Sequence, residues 1–274
     1  MKQSVNLKDQ LGNRLTFNNT PDRIVSLVPS LTYTLASFGL DKEVVGVTRF
    51  CKWPQSWKKN KRVVGGTKDF KIDRILALKP DLVLANKEEN TKDLVLELSQ
   101  QVPVYVSDVN NLETNAQMLS DLGRILNKEA LAQQFIDEIK NAKSDLLKGV
   151  SFNPSKAVYM IWKKPWMTVG GDTFINQMLQ YAGFENIYQN KTRYPKVDLS
   201  DLQKINPEII LLSSEPYTFK LKDKEELQVL FPDTCIILVP GEPFTWFGTY
   251  TLEAFNYFKT LQKQLETCIA KKKN

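Results

Sequence analysis

Short apolar runs alternate with segments whose apolar residues recur at three- and four-residue steps, on both sides of one long amphipathic stretch. The runs read as buried strands and the periodic segments as helices, so the alternation predicts parallel sheets built from strand-helix-strand units. In the first half, Ile24 to Val28 reads as a strand stopped at Pro29-Ser30, where Ser30 can cap a helix from Leu31 to Phe38 that Gly39 ends. Val44 to Val47, Leu82 to Ala85 and Val102 to Val106 supply further strands. Asp73 to Leu78 reads as a helix that stops at Pro80, because proline cannot extend a helix and biases the residue before it away from helical angles. From about Thr114 to Lys148, Met118, Leu119, Leu122, Ile125 and Leu126 keep helical spacing, and Phe135, Ile136, Ile139 and Leu146 resume it after a break near Gly123 or Asn127-Lys128. The second piece, Lys128 to Lys148, would be on the order of 30 Å long at ~1.5 Å per residue, enough for a stiff connection between two lobes.

The second half restarts the same grammar. Ala157 to Ile161, Ile209 to Leu212 and Ile236 to Val239 read as strands, Phe174 to Ala182 as a helix stopped by Gly183, and Leu252 to Leu265 as the closing helix. Asp73 to Leu84 in the first half corresponds to Asp201 to Leu212 in the second, each a helix, a proline stop and a buried strand, with one residue of slack before the proline. An internal repeat follows. The expected fold is α/β: residues 1–113 as one lobe with a mostly parallel sheet, residues 150–274 as another, and residues 114–149 as the helical segment that joins them.

A chain of 274 residues with 42% hydrophobic content can bury two cores of ordinary size, so composition agrees with two lobes. The net charge of +6 is spread along the chain except at Lys271 to Lys273, which reads as a solvated end, and no nucleic-acid partner is expected. No apolar run approaches the ~20 residues of a membrane span. Met1 to Asn6 lacks the apolar stretch of a secretory signal, which fits either a cytosolic protein or the mature form of an exported one. Cys51, Cys235 and Cys268 are odd in number and far apart, so idle thiols are expected rather than a disulfide framework or a thiolate metal cluster. The chain has no histidine. That removes the Ser-His and Cys-His nucleophile pairs, the imidazole base and most zinc sites, leaving enzymes only carboxylates or lysine.

Ligands of open parallel sheets lie beyond the carboxyl ends of the strands. The loops there are Pro29-Ser30, Thr48 to Phe50, Asn86 to Asn90, Asp108, Trp162 to Trp166, Ser213 to Tyr217 and Pro240 to Trp246. Rings crowd them: Phe50, Trp53, Trp57, Trp162, Trp166, Tyr217, Phe244, Trp246 and Phe247. A surface loop cannot bury a large ring alone, so these predict an aromatic-lined cleft between the lobes for one bulky planar or macrocyclic ligand. Gly65-Gly66-Thr67 and Gly170-Gly171-Asp172 lack phosphate-loop spacing and read as turns, with Asp172 or Thr173 as a helix cap. The rival reading is a carboxylate-dependent enzyme on the same scaffold, with Glu88, Asp108 or Glu215 as acid or base and Lys163-Lys164 holding an anion.

Taken together, Arg23 to Thr32, Val44 to Phe50, Val64 to Thr67, Ile75 to Val83 and Gly241 to Gly248 resemble the cobalamin and iron-siderophore binding proteins of ABC importers, the helical-backbone metal receptors. The resemblance covers nearly the whole chain and lies closest to the vitamin B12-binding branch. It implies two Rossmann-like lobes, one rigid connecting helix and a cleft that moves little on binding. It also implies a monomer that catalyses nothing, holds no cofactor or metal of its own, and delivers a metal chelate carrying cobalt or iron to the membrane subunits of an ABC permease. A corrinoid is favoured, with a ferric siderophore or a haem-like iron complex as the alternative. By position the ligand contacts carry over to Phe50, Trp53, Phe70, Asn86, Glu88, Trp162, Trp166, Tyr194 and Trp246, and the loop aromatics add Phe244. Docking on the permease through one acidic residue per lobe carries over to Asp73, and in the second lobe to Ser200 with Asp201 beside it. The family's usual acidic residue after Pro-Ser-x-Thr is Tyr33 here, and Met1 to Asn6 does not read as the family's usual export signal. The implied location is the periplasm, or a lipid anchor on a membrane, once such a signal has been removed.

Overall fold

The structure is a computed structural model that describes residues 4–148 and 154–273. The expected lobe boundary at 149/150 and the opening Met1 to Gln3 lie outside the described residues. The chain divides into two compact units, residues 1–139 with 246–250, and residues 140–245 with 251–274.

The first unit runs β1 (Val5–Lys8), β2 (Arg14–Phe17), β3 (Ile24–Ser26), α1 (Pro29–Ser37), β4 (Val44–Val47), α2 (Gln55–Asn60), β5 (Arg62–Val63), α3 (Ile72–Leu76), β6 (Leu82–Asn86), α4 (Lys92–Ser99), β7 (Val104–Ser107), α5 (Leu112–Ile125) and the first half of α6 (Glu129–Lys148). Five strands form a parallel sheet in the order β5-β4-β3-β6-β7. Every residue of β6 and β7 is buried, which explains their unbroken apolar runs: helices cover both faces of a parallel sheet. Val25, Leu27, Val83, Ala85, Val104 and Val106 meet Ile75, Val95 and Leu98 in its core. β1 and β2 form a separate antiparallel hairpin whose half-exposed residues carry no apolar run. Asp9 holds its turn, accepting from the Leu11 and Asn13 amides at 3.0 and 2.8 Å, and also takes the Val106 N–H at 3.2 Å. The hairpin is thereby tied to the edge of the sheet. Asn111 caps α5 by accepting from Thr114 N–H at 2.7 Å, so that helix starts ahead of its apolar periodicity.

Residues 246–250 also belong to this unit. Asn115 Oδ1 accepts the Gly248 N–H at 2.6 Å, and the Thr249 hydroxyl donates to Ser37 Oγ at 2.9 Å. Gly248 sits at φ +79°, where a Cβ would run into the Thr34 hydroxyl, so only glycine fits this close approach.

The second unit contains the rest of α6, then β8 (Ser155–Met160), α7 (Phe174–Tyr181), β9 (Phe184–Asn186), α8 (Leu199–Ile205), β10 (Ile209–Ser213), α9 (Leu221–Leu230), β11 (Cys235–Val239), α10 (Glu242–Thr245) and α11 (Thr251–Lys273). Its parallel sheet has the order β11-β10-β8-β9. Thr173, not Asp172, caps α7, accepting from Asn176 N–H at 3.2 Å; Asp172 instead takes the Arg193 N–H at 2.6 Å. The expectation of three idle thiols fails at two of them. Cys235 and Cys268 form a disulfide with their Cα atoms 6.1 Å apart, because α11 returns along β11 and closes a separation of 33 residues. Cys51 stays free and buried, and burial pushes its thiol up despite contacts with the Thr32 and Thr48 hydroxyls.

The two sheets share one topology. In the first, β3 leads through α1 to β4 on one side while β6 leads through α4 to β7 on the other. In the second, β8, α7 and β9 do the first job, and β10, α9 and β11 the second. The matched proline stops agree in detail. Lys79 and Asn206, each directly before its proline, take left-handed angles of φ 48° and 53°. The acid after each proline then anchors the neighbouring strand's start: Asp81 accepts from Arg23 N–H at 2.9 Å, and Glu208 from Lys156 N–H at 2.9 Å.

Candidate ligand-binding site

Each sheet has a switch point where its crossovers diverge, β3/β6 in the first unit and β8/β10 in the second. In open parallel sheets ligands are met beyond the carboxyl ends of the strands at such points.

In the second unit the chain leaving β8 doubles back at once. Met167 N–H donates to Trp162 O at 3.1 Å and Ile161 N–H to Met167 O at 3.0 Å, so residues 162–167 form a tight flap. Tyr217 N–H reaches Ile161 O at 3.3 Å, joining this flap to the loop after β10. The two loops bring their rings into one row. Trp162 meets Tyr217 edge to face at 5.8 Å, Tyr217 meets Phe219 at 4.7 Å, and Phe219 stacks on Trp166 at 5.8 Å with 8° between planes. Trp162 keeps 40% of its surface exposed, while Trp166 is half-buried against the unit's core.

Beside the rings lies a pocket of about 350 Å3 lined by Lys163, Lys164, Tyr217, Lys222, Asp223 and Glu226. Lys163 Nζ donates to Asp223 Oδ1 at 2.8 Å and to Glu226 Oε2 at 2.6 Å, and stands 5.3 Å from the centre of the Trp166 ring. Asp223 Oδ2 also accepts the Lys220 N–H at 2.9 Å, at the start of α9. Burial pushes the Asp223 carboxyl up, but Lys163 and the Lys220 amide outweigh it and hold the carboxyl below its ordinary range. For Lys163, burial pulls the ammonium down, and its two carboxylate partners more than restore it.

In the first unit Asn86 shapes the loop after β6. Its Oδ1 accepts from the Glu88 and Glu89 amides at 2.9 and 3.1 Å, and its Nδ2 donates to Ser107 Oγ at 3.0 Å. Glu88 is half-buried on that loop. After β4, Arg49 pairs with Asp69 and lies 5.4 Å from the centre of the Phe50 ring, giving a braced cation over an aromatic face. Phe50 is 51% exposed and Trp53 44%. A Cβ at Gly66 would come within 2.6 Å of Arg49 Nη2 and 3.0 Å of Phe50, so this glycine makes room for the pair.

The predicted site residues therefore separate into two groups. Phe50, Trp53 and Trp162 present open faces, and Glu88, Trp166 and Tyr194 are half-buried. Arg193 lies 5.5 Å from the Tyr194 ring. Four of the expected contact residues lie in the interior or have their side chains engaged. Phe70 is in the core of the first sheet, Phe244 is enclosed by Tyr159, Tyr257 and Phe258, and Asn86 spends its side chain on its own turn. Trp246 is 5% exposed, its ring held against Tyr33 and Tyr250. Trp57 and Phe247 are buried too. For the five aromatic residues, the interior absorbs a ring that the sequence places next to a loop. Tyr33, standing where the family resemblance expects an acid, is one member of that Tyr33, Trp246 and Tyr250 cluster. Lys222, Asp223 and Glu226 give no sequence signal of a site, because Leu221 to Leu230 is too polar to read as a helix and carries apolar residues only at Leu221, Leu227, Val229 and Leu230.

Asp73 is exposed in the first turn of α3, and Asp201 is exposed in the first turn of α8, where it pairs with Lys204 at 2.8 Å. Ser200 turns its hydroxyl to Asp198 Oδ1 at 2.6 Å, so within this turn it supports the helix cap and Asp201 carries the outward charge. Of the carboxylates weighed for an enzyme, Asp108 pairs with Lys87 at 2.7 Å and Glu215 accepts the Thr245 hydroxyl at 2.6 Å.

The profile of a family described as periplasmic binding protein matches residues 24–230. This chain belongs to that family. A vitamin B12-binding protein from Vibrio campbellii is 29% identical over 204 residues, 72% of this chain and 73% of its own. An ABC transporter substrate-binding lipoprotein from Bacillus subtilis, itself uncharacterized, is 28% identical over 217 residues, 76% of this chain and 68% of its own. Among solved structures, the periplasmic vitamin B12 binding protein of Vibrio cholerae superimposes with a TM-score of 0.73 at 21% identity, covering 90% of this chain and 98% of that one. That likeness establishes the two-lobed α/β fold with parallel sheets. Among the described residues no helix is long and apolar enough to cross a membrane.

Proposed function

We propose that this chain is the solute-binding component of an ABC importer, and that it captures a bulky metal chelate, a corrinoid in first place, without catalysing a reaction. The observation that carries the reading is the set of open aromatic faces at strand ends, Phe50 and Trp53 on one sheet and Trp162 on the other. Large rings at strand ends offer flat, stiff contact area where ligands of parallel sheets are met. The relatives named as vitamin B12-binding proteins favour a corrinoid. With no histidine in the chain, imidazole cannot ligate the metal, and stacking and hydrogen bonds are the contacts the rings offer. The Cys235 to Cys268 disulfide suits an oxidising compartment, so the protein works outside the cytosol, free or lipid-anchored.

Titration with cyanocobalamin, a panel of ferric siderophores and haemin tests this directly. Tryptophan fluorescence should be quenched saturably, by cyanocobalamin first, and Trp162→Ala should weaken that ligand at least about tenfold at unchanged melting temperature, as loss of one buried ring face predicts. No quenching by any compound overturns the proposal.

Delivery to the permease is assigned to Asp73 and Asp201, exposed acids at corresponding places of the internal repeat. The double variant Asp73→Ala/Asp201→Ala should keep the wild-type ligand affinity while transport into vesicles bearing the importer falls severalfold. Parallel loss of affinity and transport would remove the docking role.

A further inference from the structure

We infer that the pocket at the switch point of the second unit is an anion subsite, taking a carboxylate or phosphate arm of the solute whose ring body lies on Trp162 and Tyr217. The inference rests on the solute-binding function proposed above and, among the ligands named there, concerns the iron chelates that bear at least one acidic group; a corrinoid would lie on the rings without using the pocket.

The charges point this way. Three ammonium groups and two carboxylates line the pocket, which leaves one net positive charge. The carboxylates are already committed, since Lys163 bridges Asp223 and Glu226, and the second Asp223 oxygen takes the Lys220 amide. Neither Lys164 nor Lys222 makes an ion pair or hydrogen bond among the described residues, although both border the same cavity. They are the cations left for a guest.

The surroundings are built rather than loose. Asp223 is 1% exposed and Lys163 11%, so the charged floor of the pocket is buried and held in place. The flap after β8 carries Lys163 and Lys164, is hydrogen bonded within itself, and is joined to the Tyr217 loop. Lys164 is held at φ 66°, a left-handed angle uncommon for a long side chain, and strain of this kind persists where the surrounding structure imposes it, often at ligand sites. The cavity, about 350 Å3, admits a carboxylate or phosphate with its first waters. Tyr217 belongs both to the pocket and to the ring row, so one ligand can touch aromatic and cationic parts together. A lysine cation near, but not inside, an apolar wall attracts an acidic arm strongly and in a salt-dependent way.

The test compares wild type, Lys164→Glu/Lys222→Glu and Lys164→Gln/Lys222→Gln, each checked for unchanged fold by circular dichroism. Ferric citrate serves as the anionic chelate, cyanocobalamin as the chelate of zero net charge with no terminal acid, and inorganic phosphate as the free anion. Titrations by tryptophan fluorescence in low and high NaCl should show ferric citrate weakened at least about tenfold by the charge reversal and less by the neutral pair, with the salt dependence lost and cyanocobalamin affinity unmoved. Phosphate should raise the melting temperature of wild type above a chloride control of equal ionic strength, and should not do so in the charge-reversed protein. Equal ferric citrate affinity in all three proteins overturns the subsite. So does a phosphate effect that disappears while chelate affinity holds, which would make the pocket a free-anion site. If no chelate binds wild type but the phosphate effect depends on the two lysines, solute capture fails while the anion pocket stands.

Discussion

Replacing Lys163 by methionine will destabilise the second unit by about 3 kcal/mol, the figure expected when one partner of a buried charge pair is removed. Methionine keeps most of the stem, so packing on Trp166 changes little and the loss reports the charge. What remains is the Asp223 carboxylate, 1% exposed, with only the Lys220 amide to satisfy it. The pH dependence gives the cause away. In wild type the folded Asp223 carboxyl is held below its ordinary value, so its stabilisation is complete above the ordinary carboxylate range and is lost as pH falls through the lowered value. In the variant burial is opposed only by the Lys220 amide and the charge of Lys222, so the carboxyl should sit higher than in wild type, and protonation relieves part of the penalty as pH falls. Urea unfolding of the two proteins from pH 7 to pH 4 should therefore show a gap that narrows toward acid. A gap below about 1 kcal/mol at pH 7, or one that does not change with pH, would mean that water reaches Asp223 and the bridge is ordinary surface charge.

Reduction of the Cys235 to Cys268 disulfide should cost a similar amount. A cross-link closing a separation of 33 residues removes roughly 3 to 4 kcal/mol worth of chain entropy from the unfolded state, on a chain-entropy account. For a unit of this size that corresponds to a drop of about 10 °C in melting temperature. The fold should survive, because Phe255, Phe258, Leu261 and Leu265 bury one side of α11 independently of the bond. Calorimetry of wild type with and without dithiothreitol, beside Cys235→Ser/Cys268→Ser, checks this: reduced wild type and the double variant should melt together. No shift on reduction would show that the last turns of α11 are not part of the cooperative unit. Cys51, enclosed by Thr32 and Thr48 and pushed toward the thiol form, should label with iodoacetamide only on unfolding.

The candidate site was legible as a set of loops and illegible as a set of contacts. Trp162 and Phe50 keep open faces while Phe244 and Phe70 do not, yet all four are single rings at the ends or beginnings of loops. Nothing local distinguishes them, since a ring's exposure depends on which distant side chains close over it. The hairpin β1 and β2 carries no apolar run because half of its residues face water, and α9 shows no clear apolar stripe because half of its residues are charged. Lys163 and Lys164 stood out in the sequence only as an adjacent pair; Asp223, the partner that decides their environment, lies 60 residues further on.

The sequence by itself determined the two parallel-sheet units, the repeat that relates them and the loops that follow their strands. Strand and helix burial is set by spacings of two to four residues, and a proline or glycine stop acts on its neighbours. Only the tertiary structure decided which rings stay open, which two cysteines join, and which carboxylates neutralise Lys163, leaving Lys164 and Lys222 available. Those outcomes are contacts between segments tens of residues apart, and chain spacing carries no record of them until the sheets have formed.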